Sequence, residues 1–257
     1  MKTVILAGGY GTRISEESHI RPKPMIEIGG YPLLWHIMKG YSFYNYNDFI
    51  ICCGYLGHKI KEYFHDYYLH RSDVTFDFTK GGKMTIHSNL SEPWKVSCVH
   101  TGRDAQTGGR IRRVKDFIGN ERFMLTYGDG LSNVDINALI AQHENSGNII
   151  TLTAIQPGGR FGVLDIENDK VTAFSEKAVE DGGWINGGFM VCEPELFEYL
   201  DDDMTILERE PMKLLSEENK LGVYKHHDYW RCCDTQRDKV ILELEWTDGE
   251  AKWKLWE

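Results

Sequence analysis

The sequence predicts an α/β fold: a mostly parallel sheet with helices on both faces. Three observations carry this. Short apolar runs alternate with longer amphipathic stretches at the spacing of strand–helix units. The chain of 257 residues is 41% hydrophobic, enough for an ample core. Glycine-rich turns follow two of the apolar runs, at Gly8-Gly9 and Gly128–Gly130. Ligands of parallel sheets sit beyond the carboxyl ends of the strands, where such turns lie.

The elements follow in order. Thr3-Val4-Ile5-Leu6-Ala7 is an apolar strand that runs into glycines. Helix Leu33–Tyr44 leads to strand Phe49–Cys53, and helix His58–Tyr68 to strand Val96–His100. Helix Arg110–Ile118 precedes strand Phe123–Tyr127, and helix Val134–Asn145 precedes strand Ile149–Ile155. The second half changes character. Phe161–Ile166 and Lys170–Phe174 read as a hairpin across Asn168-Asp169, and Trp184–Val191 as another strand. Helices are expected near Pro194–Leu200 and Leu207–Glu217, a strand over Gly222–Arg231 and a terminal helix over Thr235–Trp246. Repeats and low-complexity tracts do not occur. The reading is one continuous domain over residues 1–257 with no linker. The tail from Trp246 to Trp256 carries three tryptophans, either an oligomer surface or an intramolecular clasp.

Composition excludes several classes. The net charge of −10 implies no basic face for nucleic acid. No run approaches the length of a membrane span, and the apolar start is too short for a signal peptide. The six cysteines include two adjacent pairs, Cys52-Cys53 and Cys232-Cys233, and no C-x-x-C. Reduced buried thiols and a cytoplasmic location are expected, and zinc is not.

Phosphate chemistry is written in the opening loop. Leu6-Ala7-Gly8-Gly9-Tyr10-Gly11-Thr12-Arg13 is followed by Lys23-Pro24-Met25. Glycine lets the backbone approach a bulky anion and point N–H groups at it. Arg13 and Lys23 can neutralise charge that the backbone alone cannot. The dinucleotide G-x-G-x-x-G pattern fails at Ile14, and the Walker pattern is absent. Without Arg13 and Lys23, Gly8-Gly9 after a strand could also read as an ordinary tight turn.

Other candidates are weaker singly. Tyr127-Gly128-Asp129-Gly130 ends an apolar run, so Asp129 is either a divalent-cation ligand or an Asp-Gly turn cap. Asp234 precedes the terminal helix, so it is a second ligand or a helix N-cap. Thr101–Arg110 is a second glycine-rich loop that opens a helix, whose N-terminus favours polar or anionic atoms. Arg110 is a ligand contact or part of a basic surface with Arg112 and Arg113. Glu176-Lys177 is a site pair or a surface ion pair, and Gly187-Gly188 a close-approach site or a bulge.

The opening motif with Lys23-Pro24-Met25 resembles that of the sugar-nucleotide pyrophosphorylases. Thr107–Arg110, Tyr127–Gly130 and the Trp-rich C-terminus resemble the branch that acts on CTP and glucose 1-phosphate, the glucose-1-phosphate cytidylyltransferases. The resemblance implies the fold of nucleotide-diphospho-sugar transferases, with nucleotide binding roughly in residues 1–155 and sugar-phosphate binding in 156–257. It implies Mg²⁺ held by Asp129 and Asp234. Nucleotide contacts would come from residues 6–13, Lys23, Asp104, Gly109 and Gly128. Glu176, Asn186 and Gly188 would bind the sugar and Lys177 its phosphate. Arg13, Lys23 and Asp129 would be catalytic, with Arg13 on the departing pyrophosphate. It also implies homo-oligomers, hexamers among them, and a place in deoxysugar and surface-polysaccharide (O-antigen, lipopolysaccharide) synthesis. Asp104 suits cytosine, because a carboxylate accepts from an amino group where uracil and thymine carry a carbonyl.

The reaction expected is a single in-line displacement. The sugar phosphate attacks the α-phosphorus of CTP, and pyrophosphate leaves. Three alternatives stand beside it: a uridylyl- or thymidylyltransferase, a silent nucleotide-sugar sensor, and a scaffold protein. The silent sensor would be marked by loss of Arg13 or a metal ligand, and neither is lost.

Overall fold

A computed structural model of the chain describes residues 1–11, 14, 17, 19–156 and 183–257, and the backbone of strands Gly162–Glu167 and Lys170–Glu176. In chain order the strands are β1 (Lys2–Ala7), β2 (Glu27–Ile28), β3 (Tyr31–Pro32), β4 (Asp48–Cys53), β5 (Ser72–Asp77), β6 (Lys83–Asn89), β7 (Lys95–His100), β8 (Phe123–Tyr127), β9 (Gly130–Ser132), β10 (Ile150–Ile155), β11 (Gly162–Glu167), β12 (Lys170–Glu176), β13 (Ile185–Cys192), β14 (Leu221–His226) and β15 (Trp230–Cys232). The α-helices are α1 (Leu33–Phe43), α2 (Gly57–His70), α3 (Thr107–Arg113), α4 (Lys115–Ile118), α5 (Ile136–Glu144), α6 (Glu210–Glu217) and α7 (Gln236–Thr247).

Seven strands form the central sheet in the order β14-β10-β13-β8-β1-β4-β7. All run parallel except β13, which is antiparallel to both its neighbours. Five consecutive residues of β1 are buried, the mark of a strand covered on both faces. Its side chains alternate between two cores. Ile5 and Ala7 join Phe49, Ile51, Leu34, Met38, Leu139 and Leu242 on one face. Val4 and Leu6 join Ile50, Ile111, Ile118, Leu196 and Leu215 on the other. Helices α1, α5 and α7 therefore cover one face, and α3, α4 and α6 cover the other.

Chain order reverses at β1. From β1 the chain steps outward to β4 and β7, then returns to place β8 on the opposite side of β1. Such a switch point opens a crevice at the carboxyl ends of the two central strands, β1 and β8. Gly8 follows one of them and Gly128 the other.

Several expected boundaries move. The helix expected at Arg110–Ile118 opens at Thr107 and breaks at Val114 into α3 and α4. The helix expected from Leu207 begins at Glu210, where Pro211 suits a first turn. Pro194–Tyr199 is a 3₁₀ turn. The expected strand Gly222–Arg231 is two strands in different sheets: β14 pairs with β10, while β15 pairs with β9. The chain turns between them, with His226 Nε2 3.0 Å from Tyr229 O. The hairpin β11–β12 forms with Glu167 opposite Lys170; Phe161 and the turn Asn168-Asp169 lie outside the described residues. The β5–β6 hairpin has no counterpart in the sequence reading.

The tail folds back as a clasp. Trp253 is 1% exposed and packs with Trp246 and Tyr229. Trp256 meets Trp35 edge-on at 5.6 Å. No helix among the described residues is long and apolar enough to cross a membrane.

Candidate active site

The crevice between β1 and β8 is a cleft of about 430 Å³ lined by residues 6–11, Lys23, Pro24, Asp104, Arg110 and Tyr127–Asp129, among others. Its floor is fastened by the backbone, with Gly128 N donating to Leu6 O at 3.0 Å. A side chain at Gly128 would strike Pro24 Cγ at 2.7 Å and Leu6 O at 2.8 Å. Only glycine lets β1, β8 and the Lys23 turn meet there.

Beneath the loop lies Arg110, which is 5% exposed. Its guanidinium donates to Gly8 O at 2.9 Å, Gly102 O at 2.7 Å, Thr101 Oγ1 at 3.0 Å and Arg103 O at 3.2 Å. It thus joins the opening glycine loop to the second glycine-rich loop. A Cβ at Gly8 would sit 2.2 Å from Nη1, so Gly8 makes room for the guanidinium as well as for a ligand. Of the readings open in the sequence, the basic surface is excluded by this burial.

Lys23, Asp129 and Asp234 converge. The Lys23 ammonium lies 2.6 Å from Asp129 Oδ2 and 2.5 Å from Asp234 Oδ1. The route is legible in the pairing. β15 lies against β9 with Cys232 opposite Gly130, and Cys233 N donates to Asp129 O at 2.9 Å. This sets Asp234 beside Asp129 across 105 positions of sequence. The N-cap of α7 is Thr235 rather than Asp234. Thr235 and Asp238 form a capping box, and Asp238 also accepts from Asp234 N at 3.2 Å. The Asp234 carboxylate is thereby released from capping. Burial lowers the pKa of Lys23, but the charge and hydrogen bond of Asp129 and the hydrogen bond of Asp234 outweigh it, and the net shift is upward.

Oxygens of Asp129 and Asp234 and the Cys232 sulfur all lie within 4.8 Å of one another. Two carboxylates already gathered around one ammonium fit a hard divalent cation at a phosphate site. The thiol fits it poorly. Burial first, then Asp129 and Asp234, push the Cys232 pKa up, so the sulfur stays protonated.

Asp104 lines the cleft and is exposed, with the Tyr10 hydroxyl donating to its Oδ1. Tyr10 and Tyr55 lie 5.1 Å apart, and the Arg103 guanidinium stands over both at 5.9 and 6.0 Å. Tyr10 lines the cleft, so its ring is the one a planar base can meet there. Gly109 is placed elsewhere. It is packed beneath the Asp203–Thr205 turn, its N–H donates to Thr205 O at 3.2 Å, and a Cβ would strike Asp203 O at 2.3 Å. It does not line the cleft, and its N–H already has an acceptor.

The cleft continues into a cavity of about 580 Å³ lined by Gly9, Gly11, Lys23, Tyr127, Asp129, Asn186, Glu208, Trp230 and Asp234, among others. Asn186 and Gly188 sit at a β-bulge: Met190 pairs with Leu152 and Asn186 with Ala154, so β13 carries extra residues there. Gly188 has φ 76° and Phe189 φ 45°, a left-handed pair that is strained at the phenylalanine. Asn186 Oδ1 accepts from Gly188 N at 2.9 Å, and Trp230 Nε1 donates to Gly187 O at 2.7 Å. Of the two readings of the glycine pair, the bulge is the one the pairing shows, and Asn186 beside it lines the cavity.

Thr12, Arg13 and Lys177 lie outside the described residues, and Glu176 is described only as the last residue of β12. The sequence reading missed Tyr55, Glu208, Trp230 and the strut role of Arg110. A single Glu or Tyr in an unremarkable stretch carries no spacing signal, and only the turn before α6 brings Glu208 to the cavity.

The nucleotidyl transferase family profile matches residues 2–248. The chain is 51% identical to the glucose-1-phosphate cytidylyltransferase of Salmonella typhi over 258 residues, covering all of both chains. It is 27% identical to the UTP–glucose-1-phosphate uridylyltransferase of Synechocystis sp. over 210 residues, 78% of this chain and 51% of that protein. In structure it is similar to the UDP-glucose pyrophosphorylase from Acinetobacter baumanii, with TM-score 0.71 and 15% identity over 98% of this chain and 95% of that one. The match runs from β1 through α7 and so takes in both glycine loops, Lys23 and the two converging aspartates: the chain belongs to the nucleotidyl transferase family.

Proposed function

We propose that the chain is a glucose-1-phosphate cytidylyltransferase, which joins CTP and glucose 1-phosphate into CDP-glucose and pyrophosphate. One observation carries the reading: Asp129 and Asp234, far apart in sequence, flank the Lys23 ammonium at the mouth of a glycine-lined cleft. The full-length identity to a cytidylyltransferase supports the choice of substrates.

An oxygen of the sugar phosphate forms the new bond to the α-phosphorus of CTP. The α–β bridging bond breaks, and its electrons leave on pyrophosphate. The attacking phosphate is already anionic, so no base has to remove a proton. The obstacle is repulsion between anions. Lys23 binds α-phosphate oxygens, backbone N–H groups of residues 8–11 bind the triphosphate, and Arg13 takes the leaving pyrophosphate. Gly128 admits the phosphates close to the backbone. Asp129 and Asp234 would hold Mg²⁺, which would neutralise phosphate charge, an effect worth several kcal/mol in such reactions. The base stacks at Tyr10, and Asp104 accepts from the cytosine amino group. Glu176, Asn186 and Gly188 bind sugar hydroxyls, and Lys177 the sugar phosphate. Holding both substrates in line supplies much of the remaining rate.

On this reading residues 1–155 serve the nucleotide and 156–257 the sugar. The protein would act as a homo-oligomer in the cytoplasm and supply deoxysugar and O-antigen synthesis. The test is pyrophosphate release measured with four NTPs and several sugar 1-phosphates. CTP with glucose 1-phosphate should be fastest. Preference for UTP or dTTP would overturn the base assignment.

A further inference from the structure

Glu208 is a cleft carboxylate to which the reading above gives no part with the phosphates, the cation or the base. Glu208 lies in the turn before α6 and lines the larger cavity. Its Oε1 accepts from the Tyr127 hydroxyl at 2.6 Å, and its Oε2 from Thr107 Oγ1 at 2.6 Å. The Tyr127 oxygen accepts from Asn186 Nδ2 at 3.2 Å, and Asn186 Oδ1 accepts from Gly188 N at 2.9 Å. Thr107 Oγ1, its proton given to Glu208, accepts from Leu207 N at 2.9 Å.

Donor and acceptor roles along this relay are forced. A carboxylate only accepts, so both hydroxyls must donate to it. The Tyr127 oxygen then has only lone pairs to offer, and the Asn186 amide must face it with nitrogen. Its carbonyl oxygen faces the Gly188 N–H. The Gly188 N–H and, through Tyr127, Glu208 thus hold the cavity-lining amide in one and the same orientation from its two ends. A second N–H of the Asn186 amide serves a ligand hydroxyl.

Resting on the reading above, we propose that Glu208 is the positioning residue for sugar recognition: through the Tyr127 hydroxyl it holds Asn186 in the orientation that meets the hydroxyls of the sugar 1-phosphate. The other end of the relay sits on Thr107, the first residue of α3. There the same turn also receives Gln106 N at Asp203 O, 2.8 Å, and Gly109 N at Thr205 O, 3.2 Å. The sugar side is therefore set from a fixed point on the base loop's own helix.

Two variants test it, Glu208→Gln and Tyr127→Phe, with their double. Glutamine keeps the shape but offers one acceptor oxygen where two hydroxyls need to donate. Phenylalanine keeps the ring and removes the relay. Each should raise KM for glucose 1-phosphate roughly tenfold, the scale of one lost charge-assisted hydrogen bond, and in Glu208→Gln kcat and KM for CTP should stay within about twofold. The double variant should be no worse than the poorer single one. Calorimetric titration with glucose 1-phosphate reads the same loss without turnover, and thermal midpoints near wild type exclude misfolding. An unchanged sugar affinity in Glu208→Gln, equal losses for both substrates, or additive effects in the double variant would each overturn the role of Glu208. A wild-type protein that binds glucose 1-phosphate but releases no pyrophosphate would count against the proposed reaction instead, and the titration would still judge Glu208. Wild type that binds no sugar phosphate would end both.

Discussion

Lys23 holds its place by charge. Its ammonium is 13% exposed at the side chain and is bonded to two carboxylates that are themselves about one-quarter to one-third exposed. Each aspartate faces the same cation, so neither can be lost without leaving the other to carry it. Asp129→Ala and Asp234→Ala should each lower kcat by roughly 10²–10³-fold, the cost typical of one preorganised charged group. Neither carboxylate belongs to the core, so circular dichroism spectra should match wild type. Chelation of divalent ions should abolish pyrophosphate release and added Mg²⁺ restore it. Normal turnover in either variant, or in the chelated protein, would remove the cation from the mechanism. At this scale the opening loop was legible because glycines, a lysine and a proline stand in fixed spacing. Asp234 was ambiguous, since an aspartate before a helix, taken alone, reads first as a cap. The structure removes that reading, because its neighbour Thr235 takes the cap instead.

That cap makes a testable link between an element and the site. Thr235 Oγ1 accepts from Asp238 N at 3.2 Å, and Asp238 Oδ2 accepts from Thr235 N at 2.9 Å. Thr235→Ala should cost about 1 kcal/mol of stability, as N-cap losses do. It should also lower kcat, because an uncapped α7 draws the Asp234 carboxylate back toward the helix end and away from Lys23. Thr235→Ser should restore both. Urea unfolding and turnover measured on the two variants check this, and an alanine variant with full activity would uncouple cap from site. The central strands were legible for the same kind of local reason: each is a buried apolar run. Elements on the periphery were not. The β5–β6 hairpin places Phe76, Phe78 and Met84 in the open, at 51%, 82% and 45% exposure, so it carries no inward stripe to betray it. The break between β14 and β15 falls at His227–Tyr229, with neither glycine nor proline to mark it. Only pairing with β9, a long-range partner, separates the two strands.

Across the whole molecule, the fold is closed by its last residues. Helix α1, the β2–β3 ribbon and the tail meet at His36, which is 1% exposed. Its Nε2 lies 2.9 Å from Ile28 O, and Trp253 Nε1 lies 3.3 Å from its Nδ1. The indole can only donate, so Nδ1 must accept, and the ring is neutral with its proton on Nε2. A second proton would set one N–H against another in a site walled by Trp35, Trp246 and Trp256. Burial accordingly lowers the pKa of His36 from 6.5 to about 4, against the opposing pull of its bonds to Ile28 and Tyr31. His143 and His226 are lowered as well, burial again being the leading cause. In this window the unfolded chain binds the proton that the folded chain refuses, so stability is full above pH 6.5 and falls as pH drops toward 4. For His36 alone the loss amounts to about 3 kcal/mol. Urea midpoints across that range should decline steeply in the wild-type protein. They should decline less in His36→Gln, whose amide can donate to Ile28 O and accept from Trp253 without titrating. If the variant loses stability with acid as steeply as wild type, the tryptophan clasp is not what acid opens, and His143, His226 and the paired carboxylates Asp203, Glu218 and Asp228 would have to account for the slope.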